Sequence, residues 1–279
     1  MIKSKKQKFG NLIIQVALII LAVYMFLPIY LTVVMSVKPT EELFVFPPKL
    51  YTLRPTLSNF TSMLESARQN RVPFSRYLFN TVAVTFSVTL CQCVFVSMGA
   101  FVLAKCEFYG KKLVNALIIT ALLYQSNVIY IMQYMVMSKV GIINTPLALI
   151  LPSIASPIGF FLMKQSIAQI PDSMIESAKI DGAGLFRICW QIVMPNQKPA
   201  LMTLIIFAFQ ASWNIQGGSL IFDEQLKTLP SVILQISSSG LARAGEAMAS
   251  AVFLLIPPVV VFTLAQRQIM DTMVHSGIK

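Results

Sequence analysis

Six long apolar stretches, at roughly 12–36, 78–104, 113–138, 146–163, 199–222 and 247–265, divide the chain, and its eleven acidic residues lie outside them or at their ends. A helix needs about 20 apolar residues to cross roughly 30 Å of hydrocarbon. The fourth stretch is the shortest and is bracketed by Pro146 and by Pro152 and Pro157. Only 12% of the 279 residues are charged and 56% are hydrophobic, which is about half the charge of an ordinary soluble domain. So few ionic groups cannot clothe a water-soluble surface, and so much apolar material excludes disorder. The runs are continuous and do not alternate, which selects helices over β-barrel strands. The expected fold is an all-α integral membrane protein with six transmembrane helices.

The charge balance is 22 basic against 11 acidic residues, a net +11. In a soluble protein that would suggest nucleic acid. Here the basic residues lie between the apolar stretches, where they set topology against membrane lipid, and no nucleic-acid partner is expected. Lys3, Lys5, Lys6 and Lys8 precede the first stretch. Lys105, Lys111 and Lys112 follow the second, and Lys164, Lys179, Arg187 and Lys198 follow the fourth. Only Lys139 separates the third from the fourth. Both termini are therefore expected in the cytoplasm. The first stretch is too long for a signal peptide and no small-residue cleavage site follows it, so it reads as an uncleaved span.

The expected organisation is an N-terminal tail and first helix (1–36), an extracellular loop (37–76), a core of five helices (77–266) and a cytoplasmic tail (267–279). The core includes a cytoplasmic loop at 164–198. The extracellular loop is rich in Pro and aromatics (Phe44, Phe46, Pro47, Pro48, Tyr51, Pro55) and reads as an ordered, non-periodic cap. Its Asn59-Phe60-Thr61 sequon is common by chance and carries no weight.

Several chemistries have no material. Cys91 and Cys93 lie inside a span, while Cys106 and Cys189 fall in segments assigned to the cytoplasm, so a disulfide framework is not expected. One histidine, His275, supplies neither a metal site nor acid–base catalysis. No catalytic residue, metal ligand or cofactor site is assigned. Ion-coupled transporters carry buried ionisable groups at membrane depth, and the six spans have none. A phosphate-binding G-x-x-x-x-G-K-[ST] loop is also missing. If the protein pumps a solute, another polypeptide must supply the energy, and ATP and Mg belong to that partner.

The most informative segment is Pro171 to Pro195. Ser173 and Glu176 have capping-box spacing, which predicts a helix from Met174. Gly182 supplies a stop or sharp turn, and a second helical stretch from Leu185 to Met194 is closed by Pro195. A helix lying on the lipid surface is usually rich in Lys and Arg. This one carries Glu176 and Asp181 against Lys179 alone, which suits a protein socket better.

The segment resembles the loop signature of inner-membrane subunits of ABC importers: Glu-Ala-Ala, three residues, Gly, nine residues, Ile-x-Leu-Pro. Here it reads Glu176-Ser177-Ala178, Gly182 and Ile192-Val193-Met194-Pro195. The departures are Ser177 for Ala and Met194 for Leu. The wider chain is similar to the smaller permease subunit of maltose-type carbohydrate importers. The likeness runs through Pro47-Pro48, Asn59-Phe60, Asn80-Thr81, Trp213-Asn214, Pro257-Pro258 with Gln266, and the ending Ser276-Gly277-Ile278-Lys279.

The resemblance implies a bacterial inner-membrane permease, itself not an enzyme. It would pair with a second homologous permease subunit, an ATPase dimer and an extracellular sugar-binding protein. Glu176, Ser177, Ala178, Asp181, Gly182 and Pro195 would form the ATPase-coupling element. Glu176 would pair with a basic group on the ATPase or cap its own helix, and sequence does not choose. The tail residues His275, Gly277 and Lys279 would contact the ATPases, or form a frayed terminus. Polar groups at membrane depth mark a candidate translocation path: Tyr124, Gln125, Ser126, Asn127, Tyr130 and Gln133 in span three, and Gln210, Ser212, Trp213, Asn214 and Gln216 in span five. The plainer reading of each is a helix–helix hydrogen bond worth about 0.6 kcal/mol. The solute implied is a carbohydrate, an oligosaccharide foremost. Importers of other polar solutes, or a membrane scaffold with no path, are the alternatives.

Overall fold

A computed structural model describes residues 5–45, 47, 49–68, 72–123, 126–238, 240 and 243–276. All regular structure among them is helical. Two compact units are built from the chain, one from residues 1–70 and 233–255, the other from 71–232 and 256–279.

In the first unit, α1 (Lys5–Ser36) contains a 26-residue apolar segment, Asn11–Ser36, none of whose most apolar window is buried. Such a surface is stable only in lipid or against another apolar partner. A short helix, α2 (Thr40–Leu43), and a longer one, α3 (Ser58–Arg68), follow. The expectation of a non-periodic 37–76 loop is therefore corrected, since α3 runs for 11 residues. Asn59 opens the reason. It is 5% exposed, and its Nδ2 donates to the carbonyls of Ser36 (2.9 Å) and Lys38 (2.7 Å), satisfying acceptors left at the end of α1. Gly245 approaches so closely that a Cβ there would stand 2.3 Å from the Asn59 Oδ1. The sequon asparagine is a packing residue.

The second unit is built on α4 (Phe74–Lys105), 32 residues long. After it come α5 (Lys111–Leu123) and α6 (Ser126–Val140), which together occupy the third stretch on either side of residues 124–125. The fourth stretch is a broken helix, α7 (Leu147–Ile154) and α8 (Pro157–Ala168). Ser156 caps α8 by accepting from the Gly159 N–H at 3.2 Å. Pro157 has no N–H to offer the Ser153 carbonyl four residues back. Gln92 of α4 donates its Nε2 to that carbonyl at 2.5 Å. A helix break at membrane depth is tolerated when a neighbouring side chain satisfies the freed group in this way.

The loop helix α9 (Asp172–Ile180) is followed by α10 (Leu185–Asn196), whose middle, Ile188–Val193, is widened to a π-helix. After a bend of 91° comes α11 (Lys198–Trp213). It has 16 residues, about 24 Å, so the expectation of a span over 199–222 is corrected. The chain turns instead at Gly218, whose φ of +52° suits glycine. Residues beyond the turn fold back on α4. Tyr77 donates its hydroxyl to Glu224 (3.2 Å), Asn80 donates to the carbonyls of Gln225 and Lys227 (2.7 and 3.0 Å), and the Leu229 N–H donates to Thr81 Oγ1 (2.8 Å). This segment opens α12 (Leu229–Ser237). The last helix, α13 (Ala244–Ser276), carries Pro257 and Pro258 inside it. Four helices among the described residues are long and apolar enough to cross a membrane, or five if the bent pair counts as one.

Candidate functional site

The site begins with a short helix held from below. Pro171, extended at φ −60° and ψ 135°, precedes α9, and no side chain caps its first turn. The helix starts at Asp172, two residues before the capping box predicts. The reason is tertiary. Lys105, the last residue of α4, donates from Nζ to Asp172 Oδ1 (2.7 Å), to the Ile170 carbonyl (2.5 Å) and to the Ala168 carbonyl (3.5 Å). That bond and the ammonium charge hold the exposed Asp172 carboxyl below the usual carboxylate range. An acid in the first turn also complements the helix dipole.

The underside of α9 is apolar. Ile175 and Ala178 are buried in one core with Ala100 and Phe101 of α4, Met163 and Ile167 of α8, Ile188 and Val193 of α10, and Leu204 of α11. Spacing of three residues puts both on one helical face. The other face is open. Glu176, Ser177, Lys179, Asp181 and Gly182 are exposed, with Ile180 at 86% and Phe186 of α10 at 67%. Ser177 donates to its own helix at Met174 O (3.0 Å). Among the described residues Glu176 makes no hydrogen bond or ion pair, so the capping alternative has no contact behind it.

Gly182 ends the helix at φ +78°. The Ala183 N–H bonds to Ala178 O and the Gly182 N–H to Lys179 O, both at 3.0 Å. These two bonds are the Schellman pattern, which requires a left-handed residue at this position. Pro195 does not close the second helix. It lies in the final turn of α10, which runs on to Asn196, and the correction has a local cause. Met194 N–H reaches back five residues to Cys189 O. The widened turn gives the proline ring room that an ordinary turn would deny it. Burial pushes the Cys189 thiol up to about 11.

The path residues separate. Tyr124 and Gln125 lie outside the described residues, and of Ser126 and Asn127 only the helical backbone in α6 is described. Tyr130 meets the turn after α11: its hydroxyl accepts from the Ser219 N–H (3.1 Å) and lies 3.0 Å from Ser219 Oγ. Gln133 lines a cavity of about 520 Å³ at the break between α7 and α8, beside Pro152, Ala155 and Pro157. Gln210, Asn214 and Gln216 are exposed on the last turn of α11 and just beyond it. Trp213, 3% exposed, stacks on Phe209 at 5.7 Å, and Ser212 is buried beside it, so these two pack the interior. His275 has a described backbone within α13, whereas Gly277 and Lys279 lie outside the described residues. Lys105 and Gln92 are functional candidates that sequence reasoning missed. The signals available were a lysine closing an apolar run and a glutamine inside one.

The family of inner-membrane components of binding-protein-dependent transport systems matches residues 67–274. The chain belongs to that family. It is thus an inner-membrane permease component, and the loop at 171–195 sits inside the matched region. Among similar proteins is the sn-glycerol-3-phosphate transport system permease protein UgpE of Yersinia enterocolitica, 28% identical over 94% of this chain and 95% of its own length. UgpE of Escherichia coli O1:K1 is 28% identical over 92% of each chain. A solved bacterial ABC transporter involved in importing the acidic polysaccharide alginate shares the fold, with a TM-score of 0.80, 19% identity, and coverage of 96% of this chain and 99% of that one.

Proposed function

We propose that this chain is one of two permease subunits of an ATP-driven importer for a carbohydrate or a related polyhydroxylated solute. In this reading six segments cross the membrane and both termini face the cytoplasm. The broken helix α7–α8 counts as one span and α5–α6 as another. A homologous permease would complete the path, an ATPase dimer would bind ATP and Mg, and an extracellular binding protein would deliver the solute.

The observation that carries the proposal is the mounting of α9. Its apolar underside is packed into a core shared by α4, α8, α10 and α11, while Glu176, Asp181, Gly182 and Ile180 face outward. A stiff helix mounted so can transmit a push; a loose loop would dissipate it. Closure of the ATPases would press on the outer face and rock the attached helices between inward-facing and outward-facing states. His275, Gly277 and Lys279 would add a second contact from the tail. Tyr130, Gln133, Gln210 and Asn214 are the favoured path residues, with Tyr124, Gln125 and Asn127 alongside them. Trp213 would shape the path from behind.

The relatives' names support a polyhydroxylated solute, and the glycerol phosphate named for UgpE is anionic. The chain itself offers neutral hydrogen-bonding groups to the path. Cations for an acidic solute would come from the partner permease. Reconstitution of the four-part complex with its binding protein tests the reading. ATP-dependent uptake of an oligosaccharide or of glycerol phosphate into proteoliposomes is expected. A complex that assembles and hydrolyses ATP but moves neither class of solute would sink it.

A further inference from the structure

The apolar underside of α9 fixes which face of the helix is buried, but apolar contact has no direction and does not tie down its N-terminal end. A second tie does. The Lys105 ammonium, whose side chain is 6% exposed, offers three donors and has three acceptors: the carbonyls of Ala168 and Ile170 and the carboxylate of Asp172. Those acceptors come from the end of α8, the connecting residues and the first turn of α9. Lys105 itself ends the 32-residue α4. One charge at the end of α4 therefore caps the C-terminus of α8, where partial negative charge gathers, and grips the N-terminus of α9. Bonds to a charged donor are the strong ones, and burial raises the cost of leaving their acceptors unmet.

We propose that Lys105 is a positioning residue for coupling: it locks the first turn of α9 to the ends of α4 and α8, so that displacement of α9 moves those helices and is not lost in the hinge at Ile170–Pro171. The inference rests on the coupling role proposed for α9. Without the clamp, α9 stays attached by Ile175 and Ala178 but swings at its N-terminal end. ATP hydrolysis then continues while solute movement falls behind.

The readout is solute imported per ATP hydrolysed in the reconstituted complex. A merely structural lysine would lower assembly, and with it both rates in proportion, leaving that ratio unchanged. The proposal expects K105M to lower the ratio by about tenfold with ATPase activity retained, the size expected when one charge-assisted network is lost. K105R should stay close to wild type, and D172N should fall between, because the two carbonyl bonds remain. An unchanged ratio in K105M overturns the proposal. If K105M does not assemble, D172N decides, since Asp172 is 77% exposed and its change leaves the core intact; a wild-type ratio there is equally fatal. A photo-cross-linking residue at position 176 separates the two ideas. No cross-link to the ATPase in the otherwise wild-type complex overturns the coupling role of α9 and this proposal with it. A cross-link together with an unchanged K105M ratio overturns this proposal alone.

Discussion

Replacing Gly182 with valine attacks the stiffness of α9 at its other end, and the structure separates the two ways it can act. The glycine holds φ +78°, and nothing stands within 4 Å of a Cβ added there. The cost within the chain is therefore conformational and not a clash. An L-residue in the left-handed region costs about 1–2 kcal/mol, and a β-branched one more. The alternative is to relax φ, which breaks the bonds from Ala183 N–H to Ala178 O and from Gly182 N–H to Lys179 O. At 1.4 kcal/mol per factor of ten, the formed turn drops about tenfold or more in population. Asparagine tolerates the left-handed conformation, so the expected order of coupling is Gly, then Asn, then Ala, then Val. The assay is copurification of the ATPase followed by solute transported per ATP. Wild-type coupling in Gly182→Val would refute the reasoning. An asparagine variant as poor as valine would also refute it, because bulk against the partner, not backbone conformation, would then be the cause.

Two further outcomes follow from named contacts. Gln92→Leu removes the donor to the Ser153 carbonyl that Pro157 leaves unserved, so it should destabilise the detergent-solubilised chain by about 1–3 kcal/mol, seen as a lower unfolding midpoint, while Gln92→Glu should recover stability only at a pH that keeps its carboxyl protonated, where the O–H replaces the lost donor, and not where it is ionised. Because the folded-state affinity of Asp172 for a proton is lowered by Lys105, its contribution is fully present above the ordinary aspartate range near 3.9 and is lost as pH falls through the still lower folded value. The difference in unfolding midpoint between wild type and Asp172→Asn should thus be level from about pH 6 to pH 8 and vanish in acid.

The features legible in the sequence were those set by local rules. Apolar run length marked α1, α4 and α13, and the Gly182 stop is visible because only a few residues accept positive φ. What was illegible depended on residues far apart in the chain. The spacing of Ser173 and Glu176 points to a start of α9 at Met174, yet Lys105, more than sixty residues upstream, fixes it at Asp172. Hydropathy alone carried the fifth stretch to 222, but α11 ends at Trp213, where Asn214 and the Gly217-Gly218 pair stop a helix without interrupting the apolar composition. The segment from Glu224 to Leu229 is too short for a periodic signal, and its structure comes from Tyr77, Asn80 and Thr81 of α4. Ala178, one of the residues of the expected ATPase-coupling element, is buried on the protein's own core, which a three-residue signature cannot show. Likewise Trp213 packs on Phe209, which the appearance of an aromatic beside polar residues did not reveal.

The central claim is that a push on α9 opens and closes a water-filled path through this chain. Single cysteines at positions 133 and 214, in a transport-competent chain whose native cysteines are replaced, measure it most directly. The account predicts that a membrane-impermeant thiol reagent labels both positions and that their rates change in opposite directions when the partner ATPases are trapped with nucleotide. Labelling that is absent at both positions, or identical in every nucleotide state, would contradict it and leave a membrane scaffold as the better description.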